Sequence, residues 1–422
     1  MYSKKILVFT VSSWNSKVGA NSWASLLEHY DRGNIANICI REETPDSDVC
    51  SRYFVISENR IIKSVLNRGI RTGYEVHAKS GCVSKDLEQH NKRYKKLGKK
   101  RRYSMLLARE VLWKIGKWHT PELDAFLDDF KPDVILHSME GYIHLNRIIE
   151  YAIKRTGAKA VGYIWDDNFT YKQSKKLGYK LYRFFQRGSL KRLAKKTDEF
   201  FAISEMTKEE ADQHFNINCH LLTKPLNATP VVDYAEFGDA IKLLYTGNLY
   251  IGRDKSLLKV INAIKKFPKG RFFVDVYTNS PLHESFLAEI DPDICCVHDP
   301  IPQKEVFRKQ READVLLFLE DINGPDANVA RLSFSTKATD YLSSGRCILA
   351  VGSKETAPMR YFIKNGAALV AGNEKEIYDV LCRIDASPEI LIESARNAAT
   401  AGIENHDRKA IQNMFDKIIG TL

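Results

Sequence analysis

Residues 332–351 read Leu332-Ser333-Phe334-Ser335-Thr336-Lys337-Ala338-Thr339-Asp340-Tyr341-Leu342-Ser343-Ser344-Gly345-Arg346-Cys347-Ile348-Leu349-Ala350-Val351. A polar cap leads into a short helical pattern at 338–342, Ser343-Ser344-Gly345 stops it, and an apolar strand follows at 347–351. A helix followed at once by a buried strand is the repeating unit of a parallel sheet covered by helices. The alternation extends outward, with strands expected at 241–247, 272–278, 294–298, 313–319 and 368–370. Upstream it stops at Thr223-Lys224-Pro225-Leu226-Asn227-Ala228-Thr229-Pro230, an extended, proline-containing stretch that suits a domain boundary. Before that boundary a second series appears: strands at 6–11, 133–137, 159–165 and 198–203, helices at 23–30 and about 143–155, and a helix that Ser204 would cap.

The expected fold class is therefore α/β, with two doubly wound, Rossmann-like domains. At about 100–200 residues per domain, 422 residues suit two. The expected spans are 1–228, 238–398 and a final helical segment at 399–422. The alternative is one large α/β domain with a proline loop in its middle. Apolar residues make up 44% and charged residues 28%, which excludes wholesale disorder. The eight cysteines include no CxxC pair, as expected of thiols in a reducing cytoplasm. No apolar run approaches the ~20 residues that span a bilayer, and the N-terminal run is too short for a signal peptide. The expected location is the cytoplasm, with peripheral contact to the inner face of the cell membrane.

That contact is suggested by charge. Residues 1–235 carry 40 basic and 27 acidic side chains, and residues 236–422 carry 24 and 26. The excess lies in two stretches interleaved with aromatic and aliphatic residues. One, 92–118, includes Lys99, Lys100, Arg101 and Arg102 against the single acid Glu110; the other, 172–196, includes Lys175, Lys176 and Lys180 and no acid. Basic amphipathic segments of this kind bind anionic lipid surfaces; the plainer reading is a solvated helix face. No nucleic-acid-binding motif accompanies the charge, so nucleic acid is not the expected partner.

The strand at 241–247 ends in Thr246-Gly247-Asn248-Leu249, and Gly252-Arg253-Asp254-Lys255 then precedes a helix expected to begin near Ser256. Glycine permits a tight turn under a ligand, and cations before a helix N-terminus favour an anion. In the second half of the motif, Ser335 or Thr336 would cap the helix, and Asp340 lies one turn beyond Lys337 on the same side, within reach of a sugar diol.

These residues resemble the donor domain of the group 1, nucleotide-sugar-dependent GT-B glycosyltransferases of capsule, lipopolysaccharide and glycolipid synthesis. The matching features are Gly247-Asn248-Leu249 with Arg253, Lys255 and Leu257; Ala313 to Leu317; and Phe334 to Ala350. The resemblance implies two Rossmann-like domains facing a cleft, with the C-terminal helix crossing back to the first. It implies that Gly247, Arg253, Lys255, Ser335, Thr336 and Lys337 hold the donor diphosphate and Asp340 the ribose, that the segment around Ile301-Pro302 lies against the base, and that Gly19 approaches from the first domain. The donor would be a UDP- or GDP-sugar and the acceptor a glycan or lipid-linked molecule, with no further cofactor and no metal. Two positions depart from the family pattern: Leu332 stands where many members have a second Glu, and Asp340 replaces the usual Glu.

On the acceptor side the strand at 159–165 runs into Asp166-Asp167, and strand C-termini are where open α/β sheets place their chemistry. Asp166 is the expected acceptor-orienting or general-base residue, with Asp167 and Glu140 as the next candidates. Retention of configuration is the adopted reading, and in that case Asp166 only positions. The other readings are a different GT-B enzyme, such as a nucleotide-sugar epimerase, and a non-catalytic protein that binds nucleotide sugars or anionic surfaces.

Overall fold

The computed structural model describes residues 4–14, 22–43, 45–77, 103–227, 238–324 and 326–422. The chain divides into two compact units. One comprises Met1–Ile203, Lys208–Leu222 and Met414–Leu422; the other comprises Ser204–Thr207 and Thr223–Asn413.

The first unit is built on eight strands: β1 (Ile6–Thr10), β2 (Ile35–Cys39), β3 (Arg52–Ile56), β4 (Gly73–His77), β5 (Val134–Ser138), β6 (Lys159–Ile164), β7 (Glu199–Ala202) and β8 (Cys219–Leu221). Their order is β4-β3-β2-β1-β5-β6-β7-β8. All pairs are parallel except β3–β4, which is antiparallel. Every residue of β1 and β5 is buried, as a sheet with helices on both faces requires. The order reverses between β1 and β5, and that reversal opens a crevice at the C-terminal strand ends.

The sequence pattern did not single out β2, β3 and β4. The apolar run of β2 is broken by Asn37, which is fully buried. Its Nδ2 donates to the Val8 carbonyl at 3.1 Å and to Thr10 Oγ1 at 2.9 Å, so a polar residue is accommodated inside the sheet.

The second unit has six parallel strands: β9 (Ile241–Thr246), β10 (Phe272–Tyr277), β11 (Cys295–His298), β12 (Val315–Leu319), β13 (Cys347–Val351) and β14 (Leu369–Ala371). Their order is β11-β10-β9-β12-β13-β14, with the reversal between β9 and β12. On one face Leu243, Val274, Leu317 and Leu349 form a core with Leu257 and Ile261 of the helix Arg253–Ile264 and Leu381 and Ile384 of the helix Glu374–Ala386. The first of these helices begins at Arg253, three residues before the expected start, because Gly252 caps it with φ of 73°. Arg253 thereby becomes the first helical residue instead of a loop residue.

The C-terminal segment is two helices, Ile390–His406 and Arg408–Thr421, interrupted at Asp407. The break is fixed within the second unit, where Leu226 N–H donates to the His406 carbonyl at 2.9 Å and Arg408 N–H to the Leu226 carbonyl at 3.2 Å. Met414–Leu422 belongs to the first unit. There Phe415 packs near Trp23 and Phe201, while Asp416 accepts from the Tyr30 hydroxyl at 2.7 Å and pairs with His29 Nε2 at 2.9 Å. Asp416→Ala would leave a buried hydroxyl without its acceptor. We expect a loss of about 1–3 kcal/mol in urea denaturation, with Tyr30→Phe costing less because both polar partners are not then stranded.

Candidate functional site

In the second unit the polar groups gather at the C-terminal ends of β9 and β12, on either side of the strand-order reversal. At the end of β9 the chain turns at Gly247, whose φ is 127°. A Cβ at that position would lie 2.8 Å from Lys337 Nζ, so the absence of a side chain makes room for the ammonium. The Lys337 ammonium sits over the Tyr245 ring, 3.8 Å from its centroid. It is buried and has no hydrogen-bond partner among the described residues. Burial, reinforced by the neighbouring Arg253 charge, pushes its pKa down to about 7.

Arg253 Nη2 donates to Glu320 Oε1 at 2.9 Å and Nε to the Leu319 carbonyl at 3.2 Å. Glu320 follows β12 directly, is 3% exposed, and its second carboxylate oxygen has no partner among the described residues. Ser335 caps the helix Thr336–Leu342, its Oγ accepting from Lys337 N–H at 3.3 Å. Seven residues give little dipole, so the side-chain cations dominate the local field.

The first unit carries the opposite charge at its equivalent position. Glu140 lies just beyond β5 and Asp166 just beyond β6, at the same end of adjacent strands. Glu140 has its pKa raised to about 7, first by burial and then by the Asp166 charge, with Arg41 opposing. A carboxyl group poised near neutrality can hold or release a proton where catalysis needs it. Asp167 is not available for this. It is fully buried and accepts from Thr170 N–H at 2.8 Å and from the Thr170 hydroxyl, closing a turn.

No protein-family model and no curated protein matches the chain. Solved structures do match. HepE of Anabaena, in complex with UDP, is similar over 99% of this chain and 100% of its own, with a TM-score of 0.64 at 10% identity. Sucrose-phosphate synthase of Thermosynechococcus elongatus matches over 99% and 98%, with a TM-score of 0.62 at 12% identity. The UDP-forming trehalose-phosphate synthase of Burkholderia xenovorans matches over 99% and 100%, with a TM-score of 0.60 at 8% identity. The chain has the GT-B fold.

Of the residues that the GT-B resemblance marks, Gly247, Arg253, Ser335, Thr336 and Lys337 lie at the ends of β9 and β12 or at the cap of the helix that follows them. Lys255 stands apart: it is exposed and lies about 200° round the helix from Arg253. Asp340 lies one turn beyond Lys337 as expected, but its Oδ1 is held by Lys224 Nζ at 2.7 Å. Asp166 is exposed. Lys175, Lys176 and Lys180 are exposed on and just before the helix Leu177–Ala194. Gly19, Lys99, Lys100, Arg101 and Arg102 fall outside the described residues. Near the expected base position, His298 stacks on Tyr277 with centroids 4.5 Å apart, and its Nε2 pairs with Asp275 at 2.6 Å. Sequence reasoning missed Glu320 and Tyr245. Glu320 had the signal that drew attention to Asp166, an acid directly after an apolar strand. Among the described residues no group of three His, Cys, Asp or Glu side chains is placed to hold a metal ion.

A lysine titrating near 7 makes anion binding proton-linked. Affinity for the fully charged form of inorganic pyrophosphate should rise on the order of tenfold between pH 8.5 and 6.5, as Lys337 gains its proton, and Lys337→Met should leave in calorimetry only the dependence due to the ligand's own ionisation. The same group opposes folding at neutral pH. Its folded pKa lies below the unfolded 10.5, so the unfolded state binds more protons between 7 and 10.5, and stability rises with pH across that window. Lys337→Met should therefore gain ~1–3 kcal/mol at pH 7, a gain that shrinks toward pH 10. Gly247→Ala, which strains a left-handed residue and displaces the ammonium, should weaken pyrophosphate at least on the order of tenfold.

Proposed function

We propose that the protein is a glycosyltransferase that takes a sugar from a nucleoside-diphosphate donor, of the UDP or GDP type, and transfers it to a glycan or lipid-linked acceptor at an anionic membrane surface. The observation that carries the reading is the buried, unpartnered Lys337 ammonium beside Arg253 at the strand-order reversal. A buried cation without a partner is costly unless the molecule has a use for its charge, and this is the place where an open α/β sheet binds ligands. HepE, whose UDP complex shares the fold, supports UDP as the first nucleotide to test.

In this mechanism Arg253 and Lys337 meet the negative charge that develops on the leaving phosphate as the bond to the sugar breaks. Lys337 meets that charge in its protonated form, having taken its proton from solvent when the anionic donor bound. Gly247 lets the backbone lie close to the same oxygens, and the Ser335 cap fixes the start of the helix that carries Lys337. Asp340, supported by Lys224, orients the ribose. We take the transfer to retain configuration, with the departing phosphate oxygen accepting the proton of the acceptor hydroxyl. Glu140 and Asp166 then orient that hydroxyl. Glu140 is the partner with the raised pKa and Asp166 the charge that contributes to raising it.

The membrane part of the reading is supported by the outer stripe of the helix Leu177–Ala194. Leu177 is 84% exposed and Phe184 63%, among Lys180, Lys191 and Arg192. Exposed aromatic and aliphatic side chains set among lysines suit the headgroup region of an anionic leaflet. Among the described residues no helix is long and apolar enough to cross a membrane.

Calorimetric titration of UDP and GDP into the wild type and into Arg253→Ala/Lys337→Ala tests the donor reading. One nucleotide should bind, and the double variant should lose at least about 100-fold; binding of neither nucleotide would overturn the reading. Glu140→Gln should lower kcat/KM for the acceptor about tenfold and leave slow donor hydrolysis unchanged. For the surface, flotation with phosphatidylglycerol vesicles at low salt should capture the wild type but not Leu177→Ser/Phe184→Ser, and zwitterionic vesicles should capture neither.

A further inference from the structure

Glu320 is a strongly buried carboxylate in the second unit's cationic cluster that the mechanism above leaves without a task. One of its oxygens neutralises Arg253, at 2.9 Å, and the other is buried with no partner among the described residues. Its position is fixed from several sides. Its N–H donates to the Val351 carbonyl at 2.8 Å, its own carbonyl accepts from Ser256 Oγ at 2.6 Å, and a Cβ on Gly352 would come within 2.9 Å of its Cβ. These contacts fix the Glu320 backbone and Cβ beside Arg253, so the carboxylate, itself held by the Arg253 hydrogen bond, stays within reach of an anion that approaches Arg253. It remains close to the anion, and like charges repel strongly where water is excluded.

We infer that Glu320 competes with the diphosphate for Arg253 and so weakens the hold on the nucleoside-diphosphate product, setting how fast it leaves. The inference rests on the donor reading given above. Retaining the carboxylate is unfavourable for binding in the ground state, and its benefit is kinetic: product release limits turnover in many enzymes that grip a charged product tightly. As the sugar leaves, the phosphate gains negative charge, and repulsion from Glu320 is strongest in the product complex. A residue that only fixes the geometry of Arg253 has the opposite signature, because removing its charge would weaken the anion.

The deciding variant is Glu320→Gln, whose amide oxygen still accepts from the Arg253 guanidinium while the charge is gone. UDP titration by calorimetry should show binding tighter by on the order of tenfold. In steady state, KM for the donor and kcat should both fall while kcat/KM is maintained or rises. If Glu320→Gln does not fold, Glu320→Ser removes the same charge, admits water to Arg253, and is read in the same way. UDP affinity that is unchanged or weaker in the folded variant, with the wild type binding UDP and Arg253→Ala losing it, would overturn the role of Glu320 and leave the donor reading in place. If neither UDP nor GDP binds the wild type, the donor reading fails and this inference fails with it.

Discussion

A parallel sheet buried on both faces confines polar chemistry to its ends, and that constraint governs both units of this protein. The side chains of β5, β12 and β13 are buried throughout their length. A charged residue cannot be placed within such a strand without losing its hydration. It can be placed one or two residues beyond the end of the strand, where the side chain is no longer sandwiched between the helical layers. Glu320 after β12, Glu140 after β5 and Asp166 after β6 all occupy such positions. The strand-order reversals between β1 and β5 and between β9 and β12 then select which strand ends face an open crevice and which are covered.

Within the second unit the constraint produces a charge cluster with an internal tension. Arg253 and Lys337 repel each other, and burial disfavours both. Glu320 hydrogen-bonds Arg253 and acts on Lys337 only through its charge. Lys337 is left with the Tyr245 ring, whose face attracts a cation but supplies no acceptor lone pair. The ammonium is thereby held in position without being satisfied. On the donor reading proposed above, affinity for the anion depends on proton uptake, and the cations are in place before the anion arrives. Preorganised charge of this kind lowers a barrier because no solvent has to reorient when charge develops.

The sequence made the frame and the cations of this site legible, because each leaves a local trace. Gly247 follows an apolar strand, Arg253 precedes an amphipathic helix, and Ser335-Thr336-Lys337 opens another. Partnerships across long stretches of chain leave no such trace. Nothing near Asp340 announces Lys224, 116 positions away, and nothing in Leu319-Glu320 shows that the carboxylate meets Arg253 rather than solvent. The ranking of Asp166 above Glu140 in the sequence reading has the same origin. Both follow strands, and the sequence does not show that Glu140 is half-buried with a raised pKa while Asp166 is exposed. Lys255 shows the converse: it shares a sequence motif with Arg253, but helical rotation turns it to solvent once the helix is seen to begin at Arg253. Buried Asn37 interrupts the run of β2 and β4 is an antiparallel edge, whereas β3 carries the apolar run Tyr53-Phe54-Val55-Ile56 that the apolar-run rule selects and that the sequence reading passed over.

The two units apply one architecture to opposite electrostatic ends. The second unit sets cations at its strand-order reversal and tempers them with the carboxylates Glu320 and Asp340. The first sets carboxyls near its own and tempers them with Arg41, which opposes the rise in the Glu140 pKa. Burial pushes the Lys337 pKa down and the Glu140 pKa up, each to about 7, and the counter-charges limit both shifts. Each unit thus holds, at the C-terminal ends of its strands, one side chain whose charge burial has made costly. Neither placement follows from the fold, which proteins at 8–12% identity share. It follows from which residues stand just beyond the strands and at the helix that carries Lys337.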